Sequence, residues 1–345
     1  MTKLFLQAIN GQKTGKVPFW FMRQAGRYLP EYMALRKDAG SFLDMAYNPD
    51  FAVEVTLQPI RRFDMDAAIL FSDILTVPHA LGQHLEFITG KGPQLDPIRN
   101  ANDLGRLKFE DDKFHGHLKP VYETVSRLSD ELPKDKTLIG FSGAPWTVAT
   151  YMVEGGSSKD FKYTKSFAAG DPAGFQRLMD LLVASTAEYL IKQADHGAEA
   201  LQIFDSWSGV LNEVMFQRWV IEPTKRLVEK VKSAHPDIPV IGFPKGAGLM
   251  YRNYADQTGI TAVAFDQSLP LDFVRDELQS KMCVQGALDN GLLLAGGQPM
   301  LDEAARIIDA LKGGPFVFNL GHGVIKETPP EHVAELSKFL KSVEL

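Results

Sequence analysis

The residues best suited to chemistry gather in the stretch PFWFMRQAGRYLPEY, residues 18–32. A short apolar run, 18–22, breaks off at Arg23, Gln24, Gly26, Arg27 and Tyr28. Guanidinium groups present a planar fork of donors that matches carboxylates and phosphates. Gly26 permits an unusual backbone or a close ligand approach. The plainer reading is a surface loop whose arginines pair with neighbouring acids. Similar departures follow other apolar runs, however. They are Ser72-Asp73-Ile74, Ser142-Gly143-Ala144-Pro145-Trp146 with Tyr151 shortly after, Asp205-Ser206-Trp207, Pro244-Lys245-Gly246, Asp266, Asp289 and Gly321-His322-Gly323. Asp and Gly are common in turns and caps. Arg, Tyr, Ser, Lys and His at successive ends are harder to explain that way, and together they suit an anionic ligand.

The apolar runs that must position these groups cover 17–22, 67–71, 138–141, 200–204, 240–243, 262–265, 283–288 and 316–320. They are short and almost continuously apolar, as parallel strands buried on both faces are. Segments of helical spacing lie between them, at 49–63, 175–196, 212–235, 300–312 and 331–343. Asp171-Pro172 can open a helix, and Gly197 sits where a left-handed C-cap is wanted. Strand alternating with helix implies βαβ units. Eight such strands predict a (β/α)8 TIM-type barrel with the site at the C-terminal strand ends. An open doubly wound sheet is the competitor, though no Gly-rich dinucleotide fingerprint follows the first run. The stretch 81–107 is too long for a simple connection and reads as an insertion with a hairpin around Gly90-Lys91-Gly92.

With no linker and no repeat beyond this alternation, the 345 residues read as a single domain, 1–345. A formal charge of −6 argues against a general nucleic-acid surface. The lone cysteine, Cys283, excludes a disulfide framework and a multi-cysteine metal site, and fits a reducing, cytoplasmic setting. The N-terminus, MTKLFLQAINGQKTG, lacks a signal-peptide run and reads as a short amphipathic helix ending near Gly11. No apolar stretch approaches the ~20 residues of a membrane span.

Each candidate has a plainer role. Asp73, Asp266 and Asp289 can cap helices or bond at a rim, and Ser206 can start a helix. Tyr151 can pack with its hydroxyl satisfied. His322, between two glycines, is poorly placed for packing and well placed for a ligand. His115 and His117 look like a metal pair, but their polar surroundings favour a surface reading.

The segments FMRQAGRYLPEY, FSDIL, GAPWTVATYMVEGG, FDSWSG, FPKGAG and NLGHG resemble, in order, the signature segments of the uroporphyrinogen decarboxylase family. The resemblance covers nearly the whole chain. Ser208 stands where the family usually carries alanine and touches no expected catalytic group. The resemblance implies a single (β/α)8 domain, usually a homodimer, that converts the four acetate side chains of uroporphyrinogen III to methyls without a metal or organic cofactor. The product is coproporphyrinogen III, in haem and chlorophyll synthesis. Carried over by motif, the substrate and catalytic positions are Arg23, Gln24 and Arg27, Asp73, Tyr151, Ser206 and His322, with Asp73 and Arg23 the catalytic pair.

These residue types suit that reaction. Eight substrate carboxylates need a cationic mouth, supplied by Arg23 and Arg27 with Arg36-Lys37 on the same side. The inward pyrrole N–H groups need an acceptor, and one carboxylate, Asp73, can take several. Protonating a pyrrole α-carbon creates the electron sink, so the substrate supplies what a cofactor supplies elsewhere. Asp73 would stabilise the cation that develops. Arg23 is the family's favoured proton donor; a water or a substrate carboxylic acid is the alternative, because guanidinium is a poor acid. Tyr151, Ser206 and His322 would hold substrate carboxylates, with His322 titrating near neutrality. Two rivals stand beside this reading. One is a zinc-dependent methyltransferase on the same fold, which needs at least two cysteines in its usual form. The other is a tetrapyrrole carrier, which needs no Asp73.

Overall fold

Apolar runs bounded by polar loops bury best as parallel strands covered by helices. The computed structural model, which describes residues 3–88 and 90–345, has this arrangement. Its strands are β1 (Ala67–Ile69), an antiparallel hairpin of β2 (Leu85–Ile88) and β3 (Gly92–Leu95), then β4 (Thr137–Gly143), β5 (Ala200–Asp205), β6 (Val240–Pro244), β7 (Ala262–Ala264), β8 (Cys283–Leu288) and β9 (Phe316–Leu320). Outside the hairpin they form one curled parallel sheet in the order β1-β4-β5-β6-β7-β8-β9. Every residue of β4, β6, β7, β8 and β9 is buried, which is why these strands carry no polar alternation.

Helices return the chain between strands. Asp111–Glu131 precedes β4, Pro172–Asp195 precedes β5, Glu222–Ala234 precedes β6, and Gly297–Leu311 precedes β9. Asp171 caps its helix by accepting from the Gly174 N–H at 2.8 Å. Gly197 adopts φ 110°, and a Cβ there would lie 2.5 Å from Ser129 Oγ, so only glycine fits. The predicted helix 212–235 is interrupted: Glu213–Phe216 passes through a π-helical stretch, Gln217–Ile221, into Glu222–Ala234. Pro223 lacks the N–H that regular helix would need at that point.

The first predicted strand, 17–22, is a correction. It is extended but forms no regular strand; its single parallel bridge joins Phe19 to Phe318 of β9. The reason lies in its hydrogen bonds. Pro18 has no N–H to give. The Phe19 N–H donates to the Asp66 carboxylate at 3.0 Å and the Met22 N–H to the Asn319 amide oxygen at 3.0 Å. Two ladder positions are thus taken by side chains. Backbone bonds still tie it to both sheet edges. Asp66 N donates to Phe19 O on one side, and Phe318 N to Pro18 O and Trp20 N to Phe318 O on the other.

The hairpin is where the sequence placed it, with Leu85 opposite Leu95 and Ile88 opposite Gly92. Leu95 N donates to Gly155 O, which lays the hairpin against the end of helix Pro145–Glu154. The N-terminal helix runs Leu4–Ile9, and Gly11 follows at φ 84°. Met1, Thr2 and Thr89, which belong to the N-terminal and insertion readings, lie outside the described residues. No helix among the described residues is long and apolar enough to cross a membrane.

Candidate active site

The C-terminal ends of the strands and the end of the 17–22 segment share one mouth. Arg23 is held there in the left-handed region, φ 59°, rare for a residue with a side chain. Two bonds at Met22 fix it: Met22 N donates to Asn319 Oδ1, and Met22 O accepts from Val324 N at 2.9 Å. The Arg23 side chain lies across Gly323. A Cβ at Gly323 would stand 2.4 Å from Arg23 Cδ and 2.5 Å from Cγ. The glycine after His322 is therefore the bed of the arginine.

Asp73 follows β1 and is half-buried. Its Oδ1 accepts from the Leu75 N–H at 2.8 Å, the local turn that a plain capping role predicts. Burial lifts its carboxyl to about 6, against the opposing pull of the Leu75 N–H and of the Arg23 charge. Tyr151 lies on helix Pro145–Glu154, half-buried, its ring 6.3 Å from that of Trp207. Burial raises its phenol, and the fields of Asp73 and Arg23 both reach it. His322 sits half-buried between its glycines. Burial, Arg23 and Lys245 lower its imidazole to about 4, with Asp266 opposing. The expectation that it titrates near neutrality is thus corrected: two cations and a dry setting hold it neutral.

Arg23, Asp73, Tyr151 and His322 therefore share one electrostatic neighbourhood, joined by Lys245. Arg27 stands exposed at its edge, where it and Arg36 both act on Tyr32. Arg36 stacks over Phe42 at 5.5 Å and keeps one buried guanidinium nitrogen without a hydrogen bond, a donor suited to an anion. Gln24 is fully buried. Its Nε2 donates to Ala67 O at 3.1 Å and its Oε1 accepts from Ile69 N at 2.7 Å. That side chain is committed to the backbone of β1, and so locks the arginine loop to the strand that leads to Asp73.

Ser206 is half-buried in the turn after β5. Asp205, Trp207 and Trp146, three of the strand-end departures, hold this turn together with Thr147, which the sequence did not single out. Asp205, fully buried, accepts from Thr147 Oγ1 at 2.5 Å, and Thr147 Oγ1 accepts from Trp207 N at 3.1 Å. Trp146 Nε1 donates to Trp207 O at 3.0 Å. Burial raises Asp205 to about 7 despite these bonds, and its Oδ2 is buried without a partner. An acid ending a mostly apolar strand was the available signal. Asp266 and Asp289 follow the plainer reading. Asp266 accepts from Gly246 N, Tyr251 Oη and Ser268 N, and Asp289 caps the next helix through Gly291 N.

His115 and His117 do not act as a pair. His115 Nδ1 lies 2.9 Å from Tyr122 Oη, while His117 turns to Tyr47 and His79. Both are half-buried, so the expected surface placement is corrected as well. Cys283 is buried within β8, and burial pushes its thiol far up, which denies it thiolate chemistry.

The family profile described as Uroporphyrinogen decarboxylase (URO-D) matches residues 1–343. The uroporphyrinogen decarboxylase of Rhodospirillum rubrum is 52% identical over 340 residues, 99% of this chain and 97% of its own. That of Jannaschia sp. is 49% identical over 340 residues, 99% of each chain. Among solved structures, a methyltransferase from Methanosarcina mazei aligns with a TM-score of 0.80 at 16% identity, covering 99% of this chain and 98% of its own. At that identity the likeness concerns the fold. A putative vitamin-B12 independent methionine synthase from Listeria monocytogenes aligns at 0.55 and 12% identity, over 94% of both chains. A profile match along nearly the whole length, with relatives about half identical end to end, makes this chain a member of the uroporphyrinogen decarboxylase family.

Proposed function

We propose that this chain removes the four acetate carboxyls of uroporphyrinogen III, giving coproporphyrinogen III and four CO2 in tetrapyrrole biosynthesis. The observation that carries the reading is the joint field of Arg23 and Asp73: a fixed cation beside an acid lifted to about 6. The cation side binds carboxylates. Arg23, Arg27, Arg36 and Lys245 supply four positive groups around the mouth, and His322, held neutral, adds a hydrogen-bonding group without charge. Above about pH 6 Asp73 is ionised and accepts the pyrrole N–H donors of a folded macrocycle.

The chemistry follows from charge. Protonation of a pyrrole α-carbon makes the ring cationic, and Asp73 stabilises that cation from a site already desolvated. The carbon–carboxylate bond then breaks toward the ring, CO2 leaves, a second proton on the exocyclic carbon gives the methyl, and the α-carbon gives up the first proton to restore the pyrrole, so each carboxylate consumes one proton net. Arg23 holds the departing carboxylate in line. Arg23, water or a substrate carboxylic acid can bring the proton to carbon. Tyr151 and Ser206 bind the remaining carboxylates.

In this reading segment 17–22 serves as the eighth stave of a (β/α)8 barrel, supported by its bonds to both sheet edges. The same reading gives a cytoplasmic homodimer. The exposed apolar side chains of Val214 and Leu249 support an assembly surface beside the mouth. A methyl-transfer reading would need thiolates, and Cys283 is sealed in β8. Anaerobic incubation with uroporphyrinogen III, followed by separation of products by carboxylate number, tests the proposal. Stepwise seven-, six-, five- and four-carboxylate products are expected. Tight binding with no loss of carboxylates would point to a carrier instead.

A further inference from the structure

Of the four cations at the mouth, Arg23, Arg27 and Arg36 come from the arginine loop and the helix Pro30–Ala39 that follows it. Lys245 comes from the end of β6, which lies three places from β1 in the sheet. Its position follows from the register. Asp205 and Pro244 are partners across β5 and β6. The ladder runs one step further, because Lys245 N donates to Asp205 O at 3.1 Å. Side chains alternate along a strand. Lys245 therefore takes the face of Phe243, whose ring lies 6.3 Å from that of Phe204. Phe204 is half-buried where its neighbours in β5 are buried, so this face opens to the mouth. Asp205 takes the other face and is sealed against Thr147. Ser206 and Lys245 thus come side by side at the rim, beyond the rings of Phe204 and Phe243.

The backbone at this rim is fixed. Lys245 O accepts from Ser208 Oγ at 3.0 Å and from Gly209 N at 3.2 Å. A Cβ at Gly209 would stand 2.4 Å from Gly246 O, so the two turns touch backbone to backbone. Gly246 N donates to the Asp266 carboxylate at 2.6 Å. The side chain of Lys245 is left free. It is half-buried, and among the described residues its ammonium makes no ion pair and no hydrogen bond. Asp266, the acid that follows β7, is committed to Gly246, Tyr251 and Ser268. An unpaired ammonium on a rigid turn, next to a hydroxyl, is arranged for an anion that arrives from outside.

We infer that Lys245 and Ser206 form a subsite for a substrate carboxylate other than the one being removed, a propionate of the macrocycle. The inference rests on the decarboxylase reading and adds to it. The departing acetate belongs beside Arg23 and Asp73, which enter the mouth from segment 17–22 and β1, whereas Lys245 and Ser206 enter from β6 and β5. The propionates survive all four rounds, so a site that holds one serves every round. A site for an acetate is emptied as the reaction proceeds. A propionate also carries one methylene more than an acetate, and so reaches from a ring near Phe204 and Phe243 out to the rim.

The test is anaerobic steady-state kinetics of the full-length protein on uroporphyrinogen III, with coproporphyrinogen III as competing product. An ion pair made alike in the ground and transition states is uniform binding. Lys245→Met should therefore raise KM by roughly 10–100-fold while kcat changes far less. The product keeps its propionates, so its inhibition constant should rise by the same factor. A product constant that stays put would assign Lys245 to an acetate and overturn the inference, and so would a parent-like KM. Lys245→Arg keeps the charge and should recover most of the loss; no recovery would leave the side chain a packing role only. Because the two residues share one carboxylate, Ser206→Ala should weaken binding less in Lys245→Met than in the parent. Full additivity would dissolve the subsite. Melting temperatures check the fold, and Lys245→Gln replaces the methionine variant if that one does not fold. Turnover by the parent separates the two levels. With turnover and a parent-like KM in the variant, the subsite alone falls; without turnover, the decarboxylase reading falls and the subsite with it.

Discussion

Thr147 and Asp205 join two of the elements that carry candidate site residues. The Thr147 hydroxyl donates to the Asp205 carboxyl at 2.5 Å and accepts from Trp207 N at 3.1 Å. One hydroxyl thus ties the helix bearing Tyr151 to the turn bearing Ser206. Thr147→Val leaves Asp205 with no side-chain donor in a fully buried setting, where an unmet acceptor costs about 1–3 kcal/mol. Urea denaturation should show a loss of unfolding free energy of that size, read as a lower midpoint at unchanged slope, and kcat should fall with it. An unchanged midpoint removes the clamp from the account.

The same carboxyl gives stability a pH signature. Asp205 stands at about 7 in the folded chain, whereas an unfolded aspartate stands near ~4. Between those values the folded chain keeps the proton and the unfolded chain has lost it, so stability falls as pH rises through the window. Asp205→Asn cannot titrate. Subtracting its stability profile from that of the parent should leave a slope confined to roughly pH 4–7. A flat difference would mean that Asp205 is ionised in the fold.

Asp73 at about 6 predicts an acid limb in kcat/KM, with activity falling as pH drops through that value. Arg23 holds the carboxyl down, so replacing it must move the carboxyl up. In Arg23→Met the titration midpoint of Asp73, followed by carboxyl-carbon resonance, should rise above that of the parent. Asp73→Asn should lose turnover by several orders of magnitude and keep the fold. If Arg23→Met leaves the midpoint still, the two groups are not coupled.

His322 carries the opposite sign. Arg23 and Lys245 help to hold it at about 4, so Lys245→Met should raise its midpoint toward the ordinary histidine value of about 6.5. The imidazole proton resonances report this directly. A parent midpoint near neutrality would contradict the burial described here.

Gly323→Ala tests the bed of Arg23. Only the added methyl is at issue, since the glycine does not adopt a positive φ. That methyl would stand 2.4 Å from Arg23 Cδ, so the arginine must move by about an ångström. Displacements of that size cost roughly 100-fold in rate. A drop of that order in kcat/KM with an unchanged melting temperature is expected, and parent-like kinetics would show that the arginine has room.

Much of this was legible in advance because buried parallel strands announce themselves locally. The runs 283–288 and 316–320 are strands at the same bounds, and the hairpin around Gly90 is present. What escaped depends on contacts between distant positions. Segment 17–22 has a strand's composition, but Asp66 and Asn319 take its N–H groups. Gln24 reads as a ligand-facing polar residue beside two arginines, yet its amide fits the backbone of β1. The partner of Asp205 lies 58 residues away. His117 pairs with His115 in the sequence alone, because its spatial neighbours, Tyr47 and His79, come from two other parts of the chain.

The double attachment of segment 17–22 also orders events in time. Its neighbours on the two sides are Asp66 and Phe318, and Phe318 comes from the last strand of the sheet. During synthesis the segment emerges early and then waits, because its second edge does not exist until β9 has been made. Closing so long a loop comes late for entropic reasons too. Arg23, set at the end of this segment, is translated before any strand of the sheet and seated after them. A nascent chain stopped before Phe316 would carry every other strand and still have no finished mouth.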